Sequence, residues 1–320
     1  MKFKINALAL SILLFVSPVW AGDENGFSGS IAGGFMFIYS SNNLNPEHSD
    51  KIINDLSSGT DQKSEIVPLL LPQMAYNFGT DGQFGFYLDT DPAIDEVGDF
   101  SIQTGYVQRI QGVGVLDVGV FTNPFEKAWE NPYLVGTARQ DTDVIKYGAK
   151  IALNRIMSTG LRLNVVYMKD DVDNDTLGKV ESDLARDGNV LALNANYSFE
   201  ISEDFQIRPR LSFRKGTYDG ESNSFKKIKF DIEAEYRTGK FHFVPRFFIS
   251  RSEYEKLNPI FGKTRQDDGY GAELMVRYDT PFNIEDLAIT GLVSYSKGDA
   301  NINFFDTKSF SCGLAIQYTF

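Results

Sequence analysis

Residues 227–237 read Lys-Ile-Lys-Phe-Asp-Ile-Glu-Ala-Glu-Tyr-Arg, and this stretch decides the fold. Ile228, Phe230, Ile232, Ala234 and Tyr236 fall on one side of the alternation, and Lys227, Lys229, Asp231, Glu233, Glu235 and Arg237 on the other. A period of two separates the sets cleanly, whereas a helical period of 3.6 would mix them. The segment is therefore a strand with one greasy face and one charged face.

The same pattern recurs outward in both directions. Leu161, Leu163, Val165 and Tyr167 alternate with Arg162 and Asn164; Tyr270, Ala272, Leu274, Val276 and Tyr278 alternate with Glu273 and Arg277. Fourteen such runs fall near 26–40, 65–78, 83–90, 99–111, 113–121, 143–156, 160–169, 189–201, 205–215, 226–237, 240–250, 269–279, 286–297 and 306–320. Short links alternate with long polar ones, at 41–64, 91–98, 122–142, 170–188, 216–225, 251–268 and 298–305. Tight turns on one side and long loops on the other, with an even strand number, predict an all-β, antiparallel, up-and-down transmembrane β-barrel. Four prolines resist this reading, because Pro68, Pro72, Pro209 and Pro245 each delete a ladder donor within a run. If residues 65–72 form an extended loop instead, the count falls to twelve strands.

Aromatic residues gather near the strand ends on the greasy face. Phe78, Phe84, Phe199, Phe205, Tyr236, Phe241, Tyr278 and Tyr318 lie beside short links, and Tyr39, Tyr147, Tyr167, Phe213 and Tyr295 toward long ones, as two interfacial girdles require. The chain ends with Phe310, Cys312, Leu314, Ile316, Tyr318 and Phe320 on alternate positions. Here it resembles the Gram-negative outer-membrane β-barrel superfamily, porin-like proteins whose last strand carries such a terminal Phe. That resemblance implies that Tyr318 and Phe320 serve as the signal read by the barrel-assembly machinery. It extends to a family of such barrels known only as a domain of unknown function, which implies a fold and no activity. A secreted β-sandwich or β-helix is the alternative, and it would leave a large contiguous patch of Phe, Tyr and Leu in water.

At the N-terminus Lys2 and Lys4 precede an apolar run over residues 7–16, broken only by Ser11, and Val19-Trp20-Ala21 fits a cleavage site. Residues 1–21 read as a cleaved signal peptide and 22–320 as a single outer-membrane barrel domain. The apolar run is too short to span a bilayer as a helix, and no comparable run follows. The chain of 320 residues carries a net charge of -12, and losing Lys2 and Lys4 makes it more negative by two. So acidic a chain is a poor partner for nucleic acid; as an outer-membrane barrel it is expected to meet lipid and lipopolysaccharide on its outside and small polar solutes within.

A barrel of about fourteen strands encloses a narrow wet lumen, so passive diffusion of small hydrophilic solutes is the expected function. The charged faces line it with Arg109, Lys146, Lys150, Arg162, Arg208, Arg210, Arg214, Lys227, Lys229, Arg237, Arg246 and Arg277 against Asp89, Asp117, Asp231, Glu233, Glu235 and Glu273. The cationic excess predicts a mild preference for anions or acidic sugars. Equally open is plain cross-strand pairing of Arg208, Arg210 and Arg246 with Asp231, Glu233 and Glu235.

Two loops read as structured. Asn45, Pro46 and Glu47, followed by Ile52, Ile53, Leu56 and Gly59, predict a short capped helix that folds inward or packs on its own loop. Phe125, Lys127, Trp129, Tyr133 and Arg139 could form a sugar-stacking constriction or an interfacial anchor. One cysteine and two histidines offer little to an enzyme. His48, Ser49 and Asp50 are consecutive and diverge on a helix, so no catalytic relay is expected. Asp171, Asp173 and Asp175 begin like a calcium loop, but Thr176 and Ser182 occupy the positions of its glycine and bidentate glutamate. No metal site and no cofactor are expected. The remaining alternatives are a barrel plugged by its loops that serves as a receptor or adhesin, and, least favoured, an outer-membrane hydrolase.

Overall fold

The computed structural model describes residues 25–57, 59–90 and 101–320. The expected signal peptide lies outside them. The strands are β1 (Gly26–Ser41), β2 (Lys63–Phe78), β3 (Phe84–Asp89), β4 (Ile102–Ile110), β5 (Gly114–Trp129), β6 (Asp141–Asn154), β7 (Leu161–Val172), β8 (Gly188–Tyr197), β9 (Phe199–Ser202), β10 (Phe205–Tyr218), β11 (Phe225–Thr238), β12 (Phe241–Asn258), β13 (Lys263–Asp279), β14 (Leu287–Ala300) and β15 (Thr307–Thr319). Strands adjacent in sequence pair antiparallel, except that β9 pairs only with β10, and β15 pairs with β1 to close the ring. β8 and β9 are two pieces of one stave, interrupted at Ser198 and both paired with β10, so the closed barrel has fourteen staves. Among the described residues no helix is long and apolar enough to cross a membrane.

Alternation dictates which side chain meets which solvent. In β11, Lys229, Asp231, Glu233 and Glu235 are buried inside, whereas Ile228, Phe230, Ile232 and Tyr236 are exposed outside. In β15 the outward set is Phe310, Cys312, Leu314, Ile316 and Tyr318, and the closing hydrogen bonds join Gly29 and Phe320 in both directions, at 2.8 and 2.9 Å. Outside rings stack around the short-turn rim, from Phe27 on Phe320 at 6.0 Å through Phe78 on Phe84 at 5.5 Å to Phe241 on Tyr278 at 4.7 Å.

All four awkward prolines sit in strands, so residues 65–72 are not a loop and the twelve-strand alternative fails. β2 extends to Lys63, whereas its pairing with β3 covers only residues 73–78. Pro72 turns its carbonyl toward that side, where it accepts from the Thr90 hydroxyl at 2.9 Å, and Pro68 shares its parity. Each missing N–H therefore faces an edge that β3 does not cover. Pro209 lies between the β8 and β9 pairings of β10. Pro245 lies where the β11–β12 ladder lapses, between Arg246 and Phe243. Every ring occupies a gap in a ladder, the position a sheet tolerates.

Several staves run well past their expected outer ends. β5 continues to Trp129, β12 to Asn258, and β13 begins at Lys263. Spanning hydrocarbon takes about 9–11 residues of tilted strand. The surplus of these 16- to 18-residue strands continues as polar hairpins in which greasy alternation is no longer kept.

Candidate functional site

Of the expected lining residues carried by β4, β6, β7 and β10 to β13, the structure places Arg109, Lys146, Lys150, Arg162, Arg208, Arg210, Arg214, Lys227, Lys229, Asp231, Glu233, Glu235, Arg246, Glu273 and Arg277 on the inner face, and Arg237 at the exposed end of β11, donating to Glu235 Oε1 at 2.7 Å. Many serve one another. Arg208 Nη2 lies 2.5 Å from Glu233 Oε1 and 3.1 Å from Glu235 Oε2. Asp231 receives Arg246 Nε at 3.2 Å and stands 3.5 Å from Arg210 Nε. Arg277 bridges Asp279 at 2.7 Å and Gln317 at 2.6 Å. The longer strands also bring Glu126, Asp170 and Asp267 inside; Glu126 holds Lys146 at 2.6 Å. The lumen is thus closer to charge balance than the sequence pattern indicates.

Three levels follow along the axis. At the short-turn end a cavity of about 1200 Å3 is lined by Arg109, Arg155, Arg162 and Arg208, by Asn154, Asn196 and Gln206, and by Glu200. Arg155 belongs to the β6–β7 turn, which strand periodicity does not reach.

Above it lies a belt of buried side chains. Tyr87 Oη donates to Asp117 Oδ1 at 2.9 Å, and Lys150 Nζ stands 3.4 Å from Asp117 Oδ2 and 5.2 Å from the Tyr87 ring centroid. The Tyr87 phenol lies over Gly105 and Gly119, where any side chain would strike it. Across the ring, Met36, Leu71, Met275 and Leu292 pack into one apolar cluster.

At the long-loop end a second cavity of about 360 Å3 sits under a lid. Ile53, Ile302, Phe304 and Phe305 are buried together with Leu44, Leu56, Tyr133 and Phe261, uniting four loops. The Tyr133 ring lies 5.3 Å from Phe304 and 5.6 Å from Phe261. The loop after β1 forms turns, not the expected helix: the Asn45 side chain accepts from Glu47 N at 2.8 Å, an Asx-turn that competes with capping. Ile53 instead bridges Val135 in the loop after β5.

Arg139 locks these two loops together. It is fully buried, sits 4.3 Å from the Trp129 ring centroid, and donates to the carbonyls of Asn43 and Pro132 at 3.0 Å each, to Asp50 O, and to Ser49 Oγ at 3.1 Å. Trp129 Nε1 donates to the same Ser49 Oγ at 2.9 Å. Burial lowers Arg139 to about 10, opposed by the nearby Asp50 carboxylate, so its guanidinium stays charged at neutral pH. Trp129, Tyr133 and Arg139 thus face loop packing and do not offer a sugar an open stacking surface. Lys127 points outward to Asp141 at 2.6 Å, and Phe125 follows the β5 bulge at Asn123. A second lock is illegible in the sequence: Arg186 donates to Trp129 O at 2.6 Å and Glu130 O at 3.0 Å while gripping Asp175. Asp175 also caps α1 (Thr176–Val180), so its carboxylate is engaged away from Asp171 and Asp173.

His48 is 1% exposed and neither ring nitrogen makes a hydrogen bond. Burial first, then the Lys63 charge, push its imidazole down to about 4, leaving it neutral at neutral pH. Ser49 Oγ donates to Asn45 O at 2.7 Å, so His48 and Ser49 do not form a nucleophile and base. His242 stands at the opposite end, on the inner face, with Nε2 2.8 Å from Asp279.

The profile of the family described as Protein of unknown function (DUF2860) matches residues 26–319, from the first strand to the last. The chain belongs to that family. No curated protein matches this DUF2860 member. Several solved structures are similar to it over most of its length at low sequence identity. A Pseudomonas aeruginosa FadL homologue is 10% identical with a TM-score of 0.47, over 92% of this chain and 90% of that one. The anion-selective porin from Comamonas acidovorans is 10% identical with a TM-score of 0.45, over 93% and 100%. OmpTdeltaL8, a loop L8 deletion mutant of the Vibrio cholerae outer membrane protein OmpT, is 9% identical with a TM-score of 0.45, over 92% and 100%.

Proposed function

We propose that this DUF2860 protein is an outer-membrane channel for small hydrophilic solutes, closed at rest on its outer side and favouring anions. One observation carries the reading: a roomy, arginine-lined vestibule opens at the short-turn end, while at the other end four loops pack together on Phe304 and Tyr133. Lid loops that gate a lumen are drawn from segments that can move as units. The anion preference rests on the formal charge of the vestibule wall, where Arg109, Arg155 and Arg162 stand against Glu200 while Arg208 is balanced by Glu233 and Glu235, and this excess raises the local concentration of anionic solutes. The outward rings contact lipid and lipopolysaccharide. Tyr318 and Phe320 present the closing strand to the assembly machinery, and residues 1–21 direct export. The short turns then face the periplasm.

The buried belt around Asp117 and Asp231 favours one rival, a barrel permanently plugged and serving as a receptor or adhesin. Planar-bilayer recording separates them. The channel reading expects brief openings in the wild type, longer ones in Tyr133→Ala/Phe304→Ala, and a chloride-favouring reversal potential that weakens in Arg109→Ser/Arg155→Ser/Arg162→Ser. Silence in both the wild type and the lid variant establishes the plug, and a reversal potential indifferent to the arginines removes the selectivity.

A further inference from the structure

Glu47, His48 and Glu65 each present a ligand atom, and these atoms all lie within 4.8 Å of one another. His48 is buried to 1% with both ring nitrogens lacking a hydrogen-bond partner, which for a buried polar group is costly and calls for an occupant. Its Nε2 stands 3.5 Å from Glu65 Oε1. Two ligands each about 2.1 Å from a tetrahedral metal are about 3.4 Å apart, so this spacing already suits an ion between them. From the geometry we propose that Glu47, His48 and Glu65 form a binding site for a divalent transition metal of the zinc class, which staples the loop after β1 to the barrel wall.

The donor set selects the metal. One imidazole nitrogen and two carboxylates suit zinc or cobalt, whereas calcium and magnesium prefer an all-oxygen shell. Two carboxylates balance the charge of the ion, and the nearest ammonium, Lys63, is engaged by Asp50 at 2.8 Å. The ligands are held before the metal arrives. His48 N donates to Asn45 O at 3.2 Å, Asn42 N donates to His48 O at 3.0 Å, and Glu47 N is fixed on the Asn45 side chain. Glu65 projects inward from β2 opposite Ile38 of β1. Three protein ligands leave a fourth position for water. The metal would join two ligands on the lid to one on a rigid stave, so its binding and lid closure would reinforce each other.

The test uses full-length protein in detergent micelles, stripped with chelator and titrated with Co2+ while its visible ligand-field bands are followed. One equivalent of Co2+ is expected to give four-coordinate bands that Zn2+ displaces, and Zn2+ is expected to slow amide exchange across residues 42–56. Glu65→Gln and Glu47→Gln preserve shape and are each expected to weaken binding by more than the roughly 10- to 100-fold that loss of an outer-shell partner costs. His48→Gln is expected to abolish the bands, with heat-modifiable gel migration reporting that each variant is folded. Binding of less than one equivalent to the wild type, or binding unchanged in the folded glutamine variants, overturns the site.

Discussion

Arg139 lies over the ring of Trp129, its guanidinium carbon 4.3 Å from the ring centroid, and from there it reaches the backbone of Asn43 and Asp50 in another loop. One buried cation thus ties the loop after β1 to the loop after β5. Arg139→Ala leaves several buried carbonyls without donors, a loss of about 3 kcal/mol in lid docking. Amide exchange across residues 42–56 is expected to accelerate about 100-fold while the strand amides stay protected. Arg139→Lys keeps the charge but not the fork or the stack, and is expected to recover only a minor part. Unchanged exchange in Arg139→Ala contradicts the lock.

Phe304 is the most deeply buried aromatic residue of the lid and touches both Tyr133 and Phe261. Phe304→Ala is expected to cost the lid about 3–5 kcal/mol. The barrel should survive, because the loop cluster contributes nothing to the strand ladders. Intact heat-modifiable migration together with new protease cuts confined to loops is the expected pattern. Loss of the folded gel band would mean that lid and wall form a single cooperative unit.

In the belt, Asp117 is the shared partner of Tyr87 and Lys150. Asp117→Ala strands a buried ammonium and is expected to destabilise the barrel by about 3–5 kcal/mol, read as a lower urea midpoint in detergent. Asp117→Ala/Lys150→Met removes both charges and is expected to restore most of the loss. Failure of the double variant to recover would show that the belt depends on packing alone.

The prolines test the register. Pro68 and Pro72 direct their missing donors to an edge that β3 does not cover, so Pro68→Thr and Pro72→Thr are expected to shift stability by no more than about 0.5 kcal/mol. A Pro introduced for Ile316 would remove a donor from a stave paired on both sides by β1 and β14 and is expected to prevent folding. Equal tolerance at both places contradicts the pairing.

The wall was legible because every spanning residue must choose between hydrocarbon and an enclosed polar space, and that choice is written with period two, as at Phe230 and Asp231. Legibility stops where the choice stops. Past residue 121 of β5 and residue 250 of β12 the outer face turns polar, as at Lys127, Arg251 and Glu253, alternation fades, and the strands continue unseen, which concealed Glu126 and Asp267 as inner residues. The prolines misled because a ladder gap depends on where a neighbouring strand ends. The lid is a matter of long-range contact: nothing near Arg139 in sequence foretells Asn43, and nothing near His48 foretells Glu65. The helix expected after Asn45 failed for a local reason, since an Asx side chain serves a turn as readily as a cap.

In the proposed channel a lid holds the outer mouth shut over a lumen able to conduct. Ile53 and Val135 are bridge partners in different lid loops, with Gly136 N donating to Ile53 O at 2.8 Å. Ile53→Cys/Val135→Cys in a Cys312→Ser background, recorded in a planar bilayer before and after reduction, tests this directly. The expected result is a silent oxidised barrel that begins to open, with a chloride-favouring reversal potential, once the disulfide is reduced. Current of equal size in both redox states, or no current in either, would contradict it.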